Sequence, residues 1–388
     1  MAWDFTCPTQ IVFGRGRRSE LGAIAGRYGK HVALISGGAH LAASGELARI
    51  RTALSDAGCA ITEASVAKEP DDALVDALAA DLRTAGVDVV LAIGGGSVLD
   101  AAKAGAALVP NPGSCLDYME GIPDRDCQPI AVDPLPLIAV PTTAGTGSEV
   151  TKNAVIQANA QQVKRSMRHE RLLPRVALVD PELLSTSPRS VLAAAGMDAL
   201  AHLGESFVST GASPMTDALA VAGLERALRF LNQLVDGTPD DHAFDGIAQS
   251  ALWGGLTLAH ARLGAAHGLV APLGGALPVP HGAGIAALTG PALHVTDRAI
   301  QERGGDKHPS LNRLKRFAAL IAGPGSTPAL AAAKLDQLRQ QLEIPKLSHY
   351  GLNADLIPAI AAAPSSSIKS NPIELTAAEC EEILQRAS

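Results

Sequence analysis

The chain has 388 residues, of which 47% are hydrophobic and 18% are charged, and this balance excludes an intrinsically disordered protein. The length is enough for two domains with a sizeable core. The formal net charge is -7 and the sequence contains no basic run, which argues against nucleic acid or an acidic membrane surface as a partner.

The five cysteines are odd in number, scattered along the chain and free of any C-x-x-C spacing. This distribution is typical of reduced thiols in a cytoplasmic protein. The first residues lack the basic and apolar regions of a signal peptide. The one long uncharged stretch contains Gly, Pro and His, which argues against a membrane span. We therefore expect a cytoplasmic protein that does not bind a membrane.

Short apolar runs alternate with helix-like segments up to about Asp180. Strands are predicted at Gln10–Phe13, His31–Ser36, Ala60–Val66, Asp88–Ile93 and Leu137–Val140, with helices starting at Ser19, Gly45, Asp71 and Val98. This alternation indicates βαβ units and a largely parallel sheet with helices on both faces. Three further short strands, partly antiparallel, are predicted at Asn153–Gln157, Val163–Arg168 and Arg175–Asp180.

After Pro188 a helical periodicity replaces this alternation. Helices are predicted over residues 189–209, 214–235, 242–263, 310–322, 327–342 and 376–386. Ser213 before Pro214, and Thr376 with Glu379, are typical of helix starts. We therefore predict an α/β domain over residues 1–186 and an all-helical domain over residues 187–388.

Two glycine-containing loops each follow an apolar strand, about 50 residues apart. In the first, Gly94, Gly95, Gly96 and Ser97 stand where a strand becomes a helix, so the backbone can approach a ligand closely and offer N–H groups to a phosphate. The sequence is not the G-x-G-x-x-G fingerprint, and a tight turn without a ligand is the alternative interpretation. The second loop carries hydroxyls that could bond phosphate, ribose or nicotinamide amide, at Thr142, Thr143, Thr146 and Ser148.

The segment Gly264–Gly282 holds His267 and His281 in a stretch with no charged residue from Leu263 to Thr296. Such a stretch should be buried, and its many Gly and Pro residues argue against one continuous helix. A buried imidazole needs a polar partner, because a buried polar group without one costs free energy.

Candidate partners lie upstream, at Asp198 and His202, which are four residues apart and share one face of a helix. One carboxylate and three imidazoles make a plausible four-ligand set for a divalent transition metal. The alternative interpretation is that each histidine packs in the core or at a subunit contact.

Taken together, these motifs resemble the iron-containing (group III) alcohol dehydrogenase family. The matching segments are GGGSVLDAAK at 94–103, PTTAGTGSEVT at 141–151, QVKRSMR with its lysine, LPRVALVDPEL at 173–183, GMDALAH at 196–202, HGLVAPLG at 267–274, PHG at 280–282 and SSSIKSNPIELT at 365–376. The resemblance covers nearly the whole chain and the motifs occur in order.

The resemblance implies a Rossmann-like dinucleotide-binding domain followed by a helical metal-binding domain, as in the dehydroquinate synthase-like architecture, with the active site in the cleft between them. The residues that match the metal ligands are Asp198, His202, His267 and His281. The metal would be Fe²⁺, with Zn²⁺ possible, because this ligand set does not select iron.

The resemblance also assigns residues to NAD or NADP. Those that match the pyrophosphate loop are Gly94, Gly95, Gly96 and Ser97. Those that match positions near the nicotinamide and its ribose are Asp100, Thr142, Thr143 and Ser148. Lys164 matches a lysine that contacts the cofactor.

Two positions depart from the family pattern. Many NAD-using members have an aspartate after the second strand, where this chain reads Ser36-Gly37-Gly38, and the resemblance thereby assigns Gly37 and Gly38 to the cofactor. Without a carboxylate there, a 2′-phosphate meets less repulsion, so we predict that NADPH is accepted. The second departure is Ala271, where several alcohol-oxidising members have a histidine that takes part in proton transfer or substrate positioning.

We therefore predict a metal-dependent, NAD(P)-linked oxidoreductase that interconverts a small primary alcohol and its aldehyde. The first alternative is a maleylacetate reductase-like enzyme or another carbonyl reductase of the same fold, against which the full Asp-His-His-His set argues. The second is a catalytically inactive cofactor-binding protein. The resemblance also implies a homodimer or larger homo-oligomer, for which Gln10–Phe13 is a candidate edge strand.

Overall fold

The computed structural model describes residues 2–37, 39–305 and 307–388, without the side chains of residues 39 and 40. The chain divides into two compact units. The α/β unit comprises Thr6–Pro188, and the helical unit comprises Arg189–Ser388 with the N-terminal residues up to Phe5. The predicted limits of 1–186 and 187–388 differ from this division at the junction and at the N-terminus.

The α/β unit is built on a six-stranded sheet. The strands of the unit are β1 (Gln10–Phe13), β2 (His31–Ser36), β3 (Ala60–Ser65), β4 (Val89–Gly94), β5 (Leu137–Pro141), β6 (Asn153–Ala158), β7 (Val163–Arg168) and β8 (Val176–Val179). The sheet order is β1-β8-β5-β4-β2-β3 and every pairing in it is parallel. β6 and β7 form a separate antiparallel pair. The predicted parallel sheet with a partly antiparallel addition is confirmed.

Helices cover both faces of the sheet. They are α1 (Leu21–Ala25), α2 (Ala39–Ala43), α3 (Glu46–Asp56), α4 (Asp72–Ala85) and α5 (Gly96–Leu108). Alternate residues of a strand point to opposite faces. Val89 and Leu91 of β4 accordingly pack with side chains of α1 and α3, while Val90 packs with those of α4 and α5. Because both faces are covered, β4 is buried at every position, as in parallel sheets generally.

The helical unit contains no strand among its described residues. Its helices are α6 (Arg189–Val208), α7 (Pro214–Val235), α8 (Asp241–Ala261), α9 (Ala265–Ala276), α10 (His281–Ala299), α11 (Leu311–Ala322), α12 (Pro328–Gln341), α13 (Ile357–Ala361) and α14 (Ala377–Ala387). Two predicted starts are confirmed in detail. Ser213 caps α7 before Pro214, and Thr376 and Glu379 form a capping box at the start of α14.

α6 runs through the core of the helical unit. Within the described ranges it is the one helix long and apolar enough to cross a membrane, but 72% of that apolar window is buried inside the protein. Its glycines let neighbours approach closely. A Cβ at Gly196 would lie 2.7 Å from the Leu231 side chain, and one at Gly204 would lie 2.8 Å from Phe317. A buried core helix passes the same length and composition test, and α6 is packed as one.

Candidate metal centre and cofactor loops

Three histidines surround one carboxylate oxygen in the helical unit. Asp198 and His202 are four residues apart on α6, so both face the same side of the helix. The Asp198 Oδ1 atom lies 3.3 Å from His267 Nε2, 3.6 Å from His281 Nε2 and 3.9 Å from His202 Nε2. The rings of His202 and His267 stack with their centroids 4.4 Å apart. The structure thus brings all four predicted ligands together.

The histidine-bearing segment is divided between two helices. His267 lies in the first turn of α9, and His281 is the first residue of α10. A short connection that contains Pro278 and Pro280 separates them, which confirms that the segment is not one continuous helix.

The prediction that the whole segment is buried is wrong at its C-terminal end, where Ala276, Pro278, Pro280 and His281 are exposed. The His281 side chain is 44% exposed. The physical reason is that His281 opens a helix directly after a proline-containing connection at the surface. The side chains of Asp198 and His267, by contrast, are almost completely buried. The cluster therefore has a buried side, formed by α6 and α9, and a solvent-exposed side at His281.

Glu205 is a functional candidate that the sequence analysis missed. The His267 Nδ1–H donates to the Glu205 carboxylate over 2.6 Å, on the side of the ring opposite Asp198. The carboxylate also accepts the backbone N–H of Ala266 at 2.7 Å. The signal was present, because Asp198, His202 and Glu205 stand at positions i, i+4 and i+7 of one helix and therefore share a face.

The charges of the cluster shift the pKa of its members. Burial by itself would raise the pKa of Asp198, but the imidazoles of His202, His281 and His267 hold that pKa well below its usual range. For His267, burial lowers the pKa, but the hydrogen bonds to Asp198 and Glu205 raise it to about 9. A cation bound among these side chains would compensate the charge of the two buried carboxylates.

The donor geometry fits a transition metal. Tetrahedral coordination with bonds of about 2.1 Å places neighbouring ligand atoms about 3.4 Å apart. The separations of 3.3, 3.6 and 3.9 Å around Asp198 Oδ1 are close to that value. The ligand atoms of Asp198, His267 and His281 all lie within 4.8 Å of one another. Nitrogen and oxygen donors of this kind suit both iron and zinc.

In the α/β unit, the two glycine-containing loops touch each other. They follow β4 and β5, which are adjacent parallel strands, so both loops lie at the same edge of the sheet. A Cβ at Gly95 would lie 3.2 Å from Thr143 Oγ1, and one at Gly96 would lie 2.8 Å from Thr146 Cγ2. Glycine is therefore required for the loops to pack, apart from any ligand that they bind.

The end of β2 reaches the same edge, because β2 is the other neighbour of β4. Gly37 packs so closely there that a Cβ would lie 2.4 Å from the Val98 side chain of α5. Gly38, the second glycine assigned to the cofactor, lies outside the described residues. Ser97 stands in the first turn of α5, next to this edge.

Several residues assigned to the nicotinamide end of the cofactor are bonded to one another. The Ser148 hydroxyl donates to Asp100 at 2.6 Å, and the Val155 N–H donates to the same carboxylate at 2.9 Å. The Thr142 N–H donates to the Gly94 carbonyl at 2.9 Å. Lys164, on β7, forms a close ion pair with Glu69. Two of these bonds tie the loop to Asp100 and Gly94, and the assignments to the cofactor stay a proposal.

A buried polar group lies behind this loop. The Lys103 ammonium donates to the Asn153 carbonyl at 2.8 Å and to both oxygens of Thr151 at 3.2 Å. It lies 3.6 Å from Asp100, and Glu149 is close enough to interact with it electrostatically. Burial raises the pKa of Glu149 to about 7. We call the residues Asp100, Lys103, Glu149, Thr151 and Asn153 the Lys103 network.

Comparison with known proteins agrees with this architecture. Residues 8–181 match the family model for iron-containing alcohol dehydrogenases, and residues 192–388 match the model for the C-terminal part of the same family. Alcohol dehydrogenase 4 of Schizosaccharomyces pombe is 34% identical over 77% of this chain and 68% of its own length. Choline dehydrogenase of Bacillus subtilis is 30% identical over 92% of this chain and 87% of its own length.

A solved structure shows the same fold over the whole chain. An archaeal halo-thermophilic alcohol dehydrogenase from a Red Sea brine pool matches with a TM-score of 0.89 and 27% identity, covering 100% of this chain and 99% of that one. The chain belongs to the iron-containing alcohol dehydrogenase family.

As an iron-containing alcohol dehydrogenase, the protein is an enzyme that interconverts alcohols and aldehydes. The family uses iron and NAD(H), so the prediction of iron and a nicotinamide cofactor is confirmed at that level. The maleylacetate reductase-like alternative and the inactive cofactor-binding alternative are not favoured.

The second position predicted to depart from the family pattern, residue 271, lies close to the cluster in sequence. Ala271 lies one helical turn after His267 on α9 and is half-buried. A histidine there would stand on the same helix face as His267. Alanine leaves that face without an ionisable group at this position, so a proton cannot be passed through residue 271.

Proposed function

We propose that Asp198, His202, His267 and His281 hold the iron and that the reaction takes place there. The observation that carries the proposal is the arrangement of three imidazole Nε2 atoms around one buried carboxylate oxygen. When bound, the metal supplies Lewis acidity to the substrate oxygen. The buried residues of α6 and α9 exclude water from one side of the cluster. A substrate would approach from the other side, where His281 is half-exposed.

The proposed place of the dinucleotide is the edge of the sheet where β2 and β4 end. These strands are neighbours, but the helices that follow them, α3 and α5, cover opposite faces of the sheet. Such a reversal creates a crevice at the carboxyl ends of the strands, where open α/β sheets commonly bind nucleotides. Gly95 and Gly96 begin α5 there, and the N-terminus of that helix offers backbone N–H groups to the pyrophosphate.

We propose that NADPH is accepted as well as NADH. The chain places Ser36 and Gly37 at the end of β2, and neither carries a negative charge. A carboxylate at this place would hold the ribose 2′-hydroxyl of NAD and repel a 2′-phosphate. The proposal fails if turnover is comparable to that of known relatives with NADH and absent with NADPH.

The proposed substrate is a small, largely apolar primary alcohol or its aldehyde. The residues around the proposed metal ligands are small, and Gly282 is packed so tightly that a Cβ would lie 2.7 Å from the Ala194 carbonyl oxygen. Relatives differ in their substrates, since one of them is named for choline, so the substrate must be measured on this enzyme.

We also propose a cytoplasmic homodimer or larger homo-oligomer. All five cysteines are free thiols, as expected in a reducing compartment. β1 forms one edge of the sheet and exposes Ile11, which a second copy of the chain could cover. Light scattering coupled to gel filtration would measure the mass, and a monomer at micromolar concentration would reject the oligomer.

The metal assignment is tested by replacing His267 with alanine. The His267→Ala protein should lose its bound metal and its alcohol oxidation, because one of four ligands is gone, while the binding of NADPH followed by fluorescence stays unchanged. A matched control is His349→Ala, since His349 is exposed and lies next to Tyr350, away from the cluster. Full activity of the His267→Ala protein after chelation would reject the ligand assignment.

The cofactor loops are tested by Gly96→Ala. The new Cβ would clash with the Thr146 methyl, so the two loops should separate and the affinity for NADPH should fall about 10-fold, which corresponds to about 1.4 kcal/mol. Adding Thr146→Ser removes that methyl and keeps the oxygen that accepts the Ser148 N–H. The double variant should therefore recover part of the affinity. Unchanged NADPH binding by Gly96→Ala would place the dinucleotide elsewhere.

A further inference from the structure

Glu205 is tied to His267 by both its ring and its backbone. One carboxylate oxygen accepts the Nδ1–H of His267 at 2.6 Å, and the other accepts the backbone N–H of Ala266 at 2.7 Å. The Glu205 side chain is only 12% exposed, so these bonds are not weakened by competing water. The same carboxylate thus holds the first turn of α9 and the ring that this turn carries.

An ionised carboxylate accepts hydrogen bonds and cannot donate one. The proton of the neutral His267 ring must therefore sit on Nδ1, where it is donated to Glu205, and the lone pair is left on Nε2. That is the nitrogen 3.3 Å from Asp198 Oδ1. Glu205 selects the tautomer that presents a free lone pair to the centre of the cluster.

The start of α9 depends on the same residue. The residue before the helix, Gly264, provides no side-chain cap, so Glu205 on α6 supplies the missing acceptor for the first N–H groups. A Cβ at Gly264 would lie 3.1 Å from the Glu205 carboxylate, which explains why a glycine stands there. The position of α9 is therefore set directly by α6, the helix that carries Asp198 and His202.

From these contacts we infer that Glu205 is a positioning residue for the metal centre, which fixes the tautomer and orientation of His267 and adds a negative charge behind it. The inference rests on the proposed function, because it assumes that His267 Nε2 is a metal ligand. Carboxylates that hold a ligating histidine in this way typically change metal affinity about 10- to 100-fold when they are removed.

The test is the affinity of the metal-free enzyme for Zn²⁺, measured by competition with a chromogenic chelator. Glu205→Gln keeps the size of the side chain but removes its charge, and we expect the dissociation constant to rise about 10- to 100-fold. Glu379→Gln is the matched control, since Glu379 is also a buried glutamate that caps a helix of the same unit, α14. We expect Glu379→Gln to lower the melting temperature and to leave the Zn²⁺ affinity unchanged.

The outcomes distinguish the role of Glu205 from the existence of the metal site. Weaker Zn²⁺ binding by Glu205→Gln alone supports the inference. Wild-type affinity of Glu205→Gln, together with lost binding by His267→Ala, overturns the inference and leaves the metal site standing. Equal weakening by Glu205→Gln and Glu379→Gln also overturns it, because the effect would then be one of general stability. Retained binding by His267→Ala overturns the proposed metal site, and the inference with it.

Discussion

The two units each bury a cluster of charged side chains, and the clusters differ in where their polar atoms point. In the Lys103 network, the ammonium donates its hydrogen bonds to Asn153 and Thr151. In the helical unit, three imidazole nitrogens point at one oxygen of Asp198. In the first cluster the Lys103 ammonium donates to main-chain and side-chain acceptors around it. In the second cluster several possible metal-ligand atoms converge on one point.

This difference separates a structural cluster from a ligand site better than burial does. Lys103 and Asp198 are equally inaccessible to solvent. A buried charge whose bonds are all made within the protein contributes to the rigidity of the fold. A set of ligand atoms that converges on one point offers a place for a cation, whose charge would compensate the buried carboxylates. The two clusters should therefore differ in how substitutions and metal change the free energy of unfolding.

The largest expected effect is that of Lys103→Met. The substitution leaves the Asn153 and Thr151 acceptors without their buried donor, so we expect a loss of about 3–5 kcal/mol in the free energy of unfolding. The loss should be the same with and without metal. Chemical denaturation followed by circular dichroism would measure it, with Lys334→Met on the exposed side of α12 as the control. A loss below about 1 kcal/mol would contradict a structural role of the network.

Metal should stabilise the helical unit through the other cluster. At a free Zn²⁺ concentration about 100 times the dissociation constant, the expected gain is about 2.7 kcal/mol. Both tryptophans, Trp3 and Trp253, belong to the helical unit, so their fluorescence follows the unfolding of that unit. Asp198→Asn should abolish most of the gain, because the ligand loses its negative charge, while Lys103→Met should retain it. An equal gain in Asp198→Asn would show that the metal binds elsewhere.

The smallest expected effect, counted per unit of pH, concerns the pH dependence of stability. Burial raises the pKa of Glu149 from 4.5 to about 7, so the folded protein binds a proton in this range that the unfolded chain has released. Its contribution to stability is therefore lost as the pH rises from 4.5 towards 7, by at most about 1.4 kcal/mol per pH unit.

Glu149→Gln has no proton to lose in this range. Denaturation of the variant and the wild type at several pH values between 5 and 7 should therefore show a flatter pH dependence in the variant. Identical slopes would mean that Glu149 is not protonated in the folded protein, and that Lys103 compensates its charge more fully than burial penalises it.

Local features of the fold could be predicted from the sequence because they depend on neighbouring residues. The start of α7 after Ser213 and the strand β4 follow from short patterns of polar and apolar side chains, and both are found as predicted. The four candidate ligands also come together, since two of them share a helix face and the others share one uncharged segment. The structure places the three histidine Nε2 atoms 3.3–3.9 Å from Asp198 Oδ1.

Contacts between distant segments could not be predicted in this way. The bond between Ser148 and Asp100 exists because β4 and β5 are adjacent in the sheet, which no local pattern specifies. Glu205 looked like an ordinary polar residue of an apolar helix until α9 was seen to begin beside it. The exposure of His281 depends on where the chain turns, and the absence of charged neighbours in the sequence does not reveal it.

The first residues of the chain have a consequence for how the protein is made. Phe5 belongs to the helical unit and stacks on His260 with the ring centroids 4.1 Å apart. Phe5 therefore emerges from the ribosome long before His260 is synthesised, and the whole α/β unit is synthesised in between. An α/β unit produced alone from Thr6 to Pro188 would lose none of its own contacts. A helical unit produced separately from Arg189 onwards would lack the residues up to Phe5. A short peptide with that N-terminal sequence, added in trans, could restore the contact with His260.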